Sequence, residues 1–133
     1  MQTQRRHDRK WFWAWLILFT VPKESRKSPS VRGEIWKNLV LIEAGSADEA
    51  LLKAASIGTA EQGDCRGTLR LFGKPAWTEF LGVADMGLIH DELASGAEII
   101  WQLSWGGRKK AKSLIKRKSD LAGRLKKEMR GDL

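Results

Sequence analysis

His90, Asp91 and Glu92 stand together, with Asp85 a few residues upstream, and they form the one cluster of acid–base residues in this 133-residue chain. A catalytic reading makes His90 a general base oriented by a neighbouring carboxylate, because imidazole titrates near neutral pH. That chemistry needs companions, and the chain offers none in a recognisable pattern. It has no nucleophile motif and no glycine-rich loop that would cradle phosphate. His7, His90 and Cys65 are too few for a standard structural zinc site. A solvated turn ahead of a strand accounts for the same residues, so no catalytic residue, metal or cofactor is assigned.

Cations are the second kind of residue that could do chemistry. The whole chain carries +8, unevenly spread: residues 1–10 hold +3, residues 11–107 hold −3 and residues 108–133 hold +8. The body is therefore mildly acidic, the basicity sits in the two ends, and the question of an electrostatic partner belongs to the tail. Arg108, Lys109, Lys110, Lys112, Lys116, Arg117 and Lys118 are the candidate contacts for nucleic acid or for another partner. Phosphate neutralisation by such cations would make binding strongly salt-dependent.

These residues sit on elements that the pattern of apolar residues predicts. Gly106-Gly107 ends the body, and residues 108–133 read as one basic amphipathic helix. Ala111, Leu114, Ile115, Leu121, Ala122, Leu125 and Met129 form its narrow apolar stripe, which is expected to dock on a sheet face. The stripe has no aromatic anchor, so insertion into a membrane surface ranks last.

Upstream, residues 11–19 read WFWAWLILF without a break. The run is about half the roughly 20 residues that a membrane-crossing helix needs. A basic lead before it imitates a signal peptide, but Val21-Pro22-Lys23-Glu24 offers no small-x-small cleavage site. A buried strand fits better, given three tryptophans in five residues. Trp11, Trp13, Trp15, Ile17 and Phe19 then share one face, and Phe12, Ala14, Leu16 and Leu18 the other. The tryptophan row is expected to lie under an alanine-rich helix; the alternative is a stacking platform for bases or sugars.

That helix is predicted from Ser46. Leu39-Val40-Leu41-Ile42 is apolar on both parities and reads as a strand covered on both faces. Ser46-Ala47-Asp48-Glu49 follows as a capping box, with Glu49 expected to reach back to the Ser46 N–H. Ala47, Ala50, Leu51, Ala54 and Ala55 then fall on one helical face, and Gly58 is placed as a left-handed stop. Residues 22–33 form a long surface loop of the kind that is often functional. Short strands are expected at residues 68–72, 77–83 and 97–103, with a bulge or close backbone approach at Gly82. The fourth strand would carry Phe80 on one face and Trp77, Leu81 and Val83 on the other.

In this order the elements resemble a small bacterial family catalogued as domain of unknown function 4288. The matching positions are Trp11, Val40-Leu41-Ile42, Ser46, Glu49-Ala50, Phe80, Gly82-Val83, Asp91-Glu92-Leu93, Gly96 and Glu98, over about residues 11–103. Trp77 stands three residues before Phe80, where the family pattern has a tryptophan two before. The resemblance implies a fold and leaves the chemistry open.

The expectation is an α+β protein with a mostly antiparallel sheet of about five strands in the order β-β-α-β-β-β. One helix packs on the sheet, and a basic C-terminal helix is appended. Residues 1–10 form a flexible basic lead, residues 11–105 the α+β domain and residues 108–133 the helix. Strands apolar on both faces need two covers, so the tail or a second copy must supply one. A lone cysteine suits the cytoplasm. The leading function is a non-enzymatic interaction or regulatory protein with a protein partner, compatible with a homodimer and with no membrane role. Nucleic-acid binding through the tail comes next, and an enzyme built on His90 last.

Overall fold

The computed structural model describes residues 9–89, 95 and 101–131. Its elements are β1 (Lys10–Pro22), β2 (Arg32–Ala44), α1 (Ala47–Ala60), β3 (Arg70–Leu71), β4 (Lys74–Ile89), β5 (Trp101–Gly107), α2 (Arg108–Lys112) and α3 (Lys118–Arg130). The five strands form one antiparallel sheet in the order β3-β4-β1-β2-β5. The α+β class and the five-stranded sheet are as expected. The element order differs in detail: a 3₁₀ turn at Lys23–Ser25 opens the β1–β2 loop, and the tail is two helices. Gly106 and Gly107 belong to β5, paired with Gly33 and Arg32.

The middle strand is β1, which pairs with β2 on one side and β4 on the other. Residues 16–21 are buried without interruption, as a strand apolar on both parities requires. The strand at residues 39–42 is less central than its composition implies. Leu39, Val40 and Leu41 of β2 are only half-buried.

Each face of β1 closes a separate core. Phe12, Ala14 and Leu16 meet Ala47, Ala50 and Ala54 of α1, with Leu125 of α3 in the same cluster. On the opposite face Ile17, Phe19 and Val21 meet Val31, Ile35 and Ala111 of α2, with Ile115 against them. The alanine face of α1 therefore covers Phe12 and its neighbours, and the tryptophan row points away from that helix. Small alanines let the helix backbone approach the sheet where Phe12 fills the space.

Two irregularities let β4 serve both cores. Its register against β1 shifts between Trp15 and Leu16 and again between Ile17 and Leu18, leaving Ala84 and Leu81 as extra residues. Gly82 between them has φ of 149°, a conformation that favours glycine. The bulges turn Leu81 and Ala84 toward the α2 core and Val83 toward the α1 core. This separates Leu81 from Val83, which simple alternation puts on one face.

The N-terminus of α1 is capped nearly as expected. Ser46 Oγ accepts the Glu49 N–H at 3.1 Å, but the Glu49 carboxylate accepts the N–H of Gly45, at 2.8 Å. That bond and then the Lys53 side chain hold the Glu49 pKa down from 4.5 to about 2 against an opposing cost of burial, with Arg9 adding a smaller pull. Gly58 is no helix stop. It lies inside α1, buried, where a Cβ would run into the Phe80 ring.

At the other end of the sheet, the Phe72 ring from the β3–β4 turn meets the Trp105 ring of β5, with centroids 5.7 Å apart. Neighbouring strands lie about 4.8 Å apart, so a flat sheet would hold its two edge strands roughly 19 Å from each other. The sheet therefore curls strongly toward closure. The Phe12→Ala variant is expected to lose about 3–5 kcal/mol, because the fully buried ring leaves a cavity between β1 and α1. Urea denaturation measures this, and parental stability would contradict the α1 core.

Candidate functional site

The tail helices lie on the body, and a chain of charged contacts explains how. Asp85 of β4 sits opposite Trp15 of β1. Its Oδ2 accepts Lys116 Nζ at 3.0 Å, and its Oδ1 accepts Arg124 Nη1 at 2.6 Å and the Met86 N–H at 2.9 Å. Arg124 also donates to Glu128 Oε1 at 3.1 Å. Glu128 is nearly buried, and its Oε2 accepts the Leu88 N–H at 2.6 Å. Beyond β3, which pairs only with the start of β4, α3 thus serves the edge of β4. A buried strand edge needs such a partner for its N–H groups.

Burial works against the charge on Asp85, yet the hydrogen bonds from Lys116 and Arg124 outweigh it and hold the pKa below the ordinary carboxylate range. Both oxygens of Asp85 are thus engaged by tail cations. His90, Asp91 and Glu92 themselves lie outside the described residues, as do the first eight residues of the expected basic lead.

The seven nominated cations are not brought together. Arg108 pairs with Glu79 and donates to the Arg26 carbonyl at 3.0 Å. Lys116 is held by Asp85, and Arg117 by Asp120 at 3.2 Å. Lys110 donates to the Trp105 carbonyl at 3.2 Å. Lys118 lines a groove beside Asp48 and Leu51 of α1, away from α2. Lys109 and Lys112 are exposed, with no polar partner among the described residues. The reason is the break at residues 113–117, which turns α3 back along β4 instead of prolonging α2. Of the predicted stripe, Leu121 and Leu125 are fully buried and Leu114 is left exposed.

The tryptophans form a second surface. Trp11, Trp13 and Trp15 share a sheet face with Glu43, Leu41 and Leu39 of β2. Trp13 lies over Gly87, where a Cβ would overlap the indole. Its ring also carries the Arg124 guanidinium at 5.2 Å, and the Trp15 ring carries Lys37 Nζ at 4.7 Å. Cations over aromatic faces are attractive and keep the rings ordered at the surface. Trp11, Trp13, Leu39 and Leu41 belong to neither of the two cores. Sequence periodicity placed the row on one face correctly; it could not say which face α1 would take.

A family model described as a domain of unknown function, DUF4288, matches residues 11–101. No curated protein and no solved structure matches the chain. The match ends at the start of β5, so α2 and α3 lie beyond it.

Replacing Asp85 by Asn should cost roughly 1–3 kcal/mol at neutral pH, since two cations lose their charged acceptor. A carboxylate with a lowered folded pKa stabilises fully above its unfolded value, and that contribution fades as pH falls through the folded value. The gap between parent and Asp85→Asn in thermal melts should therefore shrink on acidification through the carboxylate range. A gap that stays constant down to about pH 2 would contradict the ion-pair account.

Proposed function

The chain belongs to the DUF4288 family, a domain of unknown function, and we propose that it acts as a small non-enzymatic interaction or regulatory protein of the bacterial cytoplasm. One observation carries the reading. Trp11 and Trp13 stand with Leu39 and Leu41 on a half-buried sheet face that neither core absorbs, and Trp15 links that face to the α2 core. Contiguous apolar surface of this kind marks interaction sites, and tryptophan and arginine are the residues that dominate interface energies. The Arg124 and Lys37 side chains on Trp13 and Trp15 add cationic contacts at the same place. The partner this favours is a protein with apolar and acidic side chains on its docking surface.

One further feature agrees with a cytoplasmic assignment. Cys65 is a free, exposed thiol, which suits a reducing compartment. Among the described residues, no helix is long and apolar enough to cross a membrane. No catalysis is assigned to the His90 cluster. The nucleic-acid reading of the tail is narrowed, because Arg108, Lys116, Arg117 and Arg124 already answer carboxylates of the chain itself.

Leu41→Glu places a charge in the middle of the aromatic face, where the parent side chain is only half-buried. The variant should keep a melting temperature near the parent's and lose the protein partner that the parent captures from source-cell extract and then binds in purified form. Equal binding of that purified partner by parent and variant would refute the assignment of this face.

A further inference from the structure

We propose that the cavity between the β1–β2 loop and α2 is a binding site for a nucleoside phosphate, either a free nucleotide or a nucleotide within a single strand. This site is separate from the aromatic face and stands or falls independently of it. Three stretches distant in sequence build it: Arg26 and Lys27 from the loop, Trp77 and Glu79 from β4, and Arg108 and Lys112 from α2. The cavity holds about 560 Å³ and is open to solvent, within the range of small-molecule sites.

Its charge is unbalanced. Four cations face one carboxylate, Glu79, and Arg108 already occupies that carboxylate. Arg108 is fixed at three points, by Glu79, by the Arg26 carbonyl at 3.0 Å and by the Phe19 ring 5.1 Å beneath its guanidinium. Arg26 is fixed by a bond from Nη1 to the Lys23 carbonyl at 2.9 Å and by stacking 5.1 Å over Trp77. One nitrogen of Arg26 is thereby used, and its other N–H groups carry no partner among the described residues. Lys27 and Lys112 are exposed and equally unpartnered there. Two ordered guanidinium groups with two free ammonium groups describe a preorganised receptor for phosphate oxygens.

Trp77 supplies the other half of the recognition. It lies beside Val21 on the sheet and lines the cavity with its ring, over which Arg26 at 5.1 Å and Lys23 Nζ at 5.8 Å are placed. A base next to a phosphate would stack on the Arg26–Trp77 pair as well as meet the cations, a contact that a bare anion does not make. The same geometry explains the length of the β1–β2 loop. Its 3₁₀ turn at Lys23–Ser25, tied to Asp64 through Lys23 Nζ at 2.7 Å, carries Arg26 and Lys27 over the sheet.

The test is equilibrium binding by the full chain, followed by tryptophan fluorescence and calorimetry at low salt. The probes are inorganic phosphate, adenosine monophosphate and an oligo-dT strand of about ten nucleotides. A Lys27→Ala/Lys112→Ala double variant serves as the control, since neither side chain has a structural partner. The expected result is binding of adenosine monophosphate or of the strand, weakened roughly tenfold or more in the double variant with its melting temperature unchanged. Binding of both probes with comparable affinity identifies a free nucleotide as sufficient, and binding of the strand alone identifies the single strand. Failure of both nucleotide probes to bind, affinity unchanged in the double variant, or inorganic phosphate binding as tightly as adenosine monophosphate would each overturn the proposal.

Discussion

A strand that is apolar on both faces can be the centre of a small sheet only if something covers each face, and β1 imposes that demand here. Its residues from 16 to 21 are buried in an unbroken run, so water is excluded from both sides at once. Two flanking strands protect its edges, which satisfies the backbone but leaves two apolar surfaces. The chain resolves this with covers placed diagonally. The helix α1 closes one face over the N-terminal half of β1, and α2 closes the opposite face over the C-terminal half. The bulged strand β4 feeds side chains to both cores. What stays only partly covered among the described residues, the face around Trp11 and Trp13 and the cation-lined cavity beyond α2, follows from that diagonal arrangement.

Charge then decides how the tail sits. A +8 segment following a −3 body would be drawn to it at long range, but screening makes that attraction weak and unspecific. Specificity comes from two carboxylates in restricted places. Asp85 is 22 % exposed and Glu128 7 % exposed, and between them they fix Lys116, Arg124 and the free N–H of Leu88. Exposed pairs such as Arg117–Asp120 contribute little beside these. The tail is thus part of the fold, and its basic composition overstates the charge available to a ligand.

Much of this architecture was legible in the residues. Strict alternation placed the three tryptophans of β1 on one face, the Ser46–Glu49 pair announced the start of α1, and Gly82 announced a bulge. Three features were not, each for a physical reason. Gly58 imitates a helix stop, but glycine also permits close packing, and only the position of Phe80 distinguishes the two uses. The heptad-like stripe from Ala111 to Met129 hides the break at residues 113–117, because the apolar spacing runs on through a turn that carries the chain from the α2 core to the α1 core. The cavity at Trp77 was invisible because its parts come from positions 26–27, 77–79 and 108–112, joined only by sheet register. The length and basic content of the β1–β2 loop were its one trace in the sequence.

The claim on which all of this rests is that the basic tail completes the two cores of β1. Thermal unfolding of residues 1–107 beside the full chain measures it most directly. Loss of Ala111, Leu121 and Leu125 from buried positions should lower the melting temperature by more than about 10 °C and expose apolar surface to a hydrophobic dye. An unchanged melting temperature with no gain in dye binding would show that the helices merely rest on a body that is stable without them.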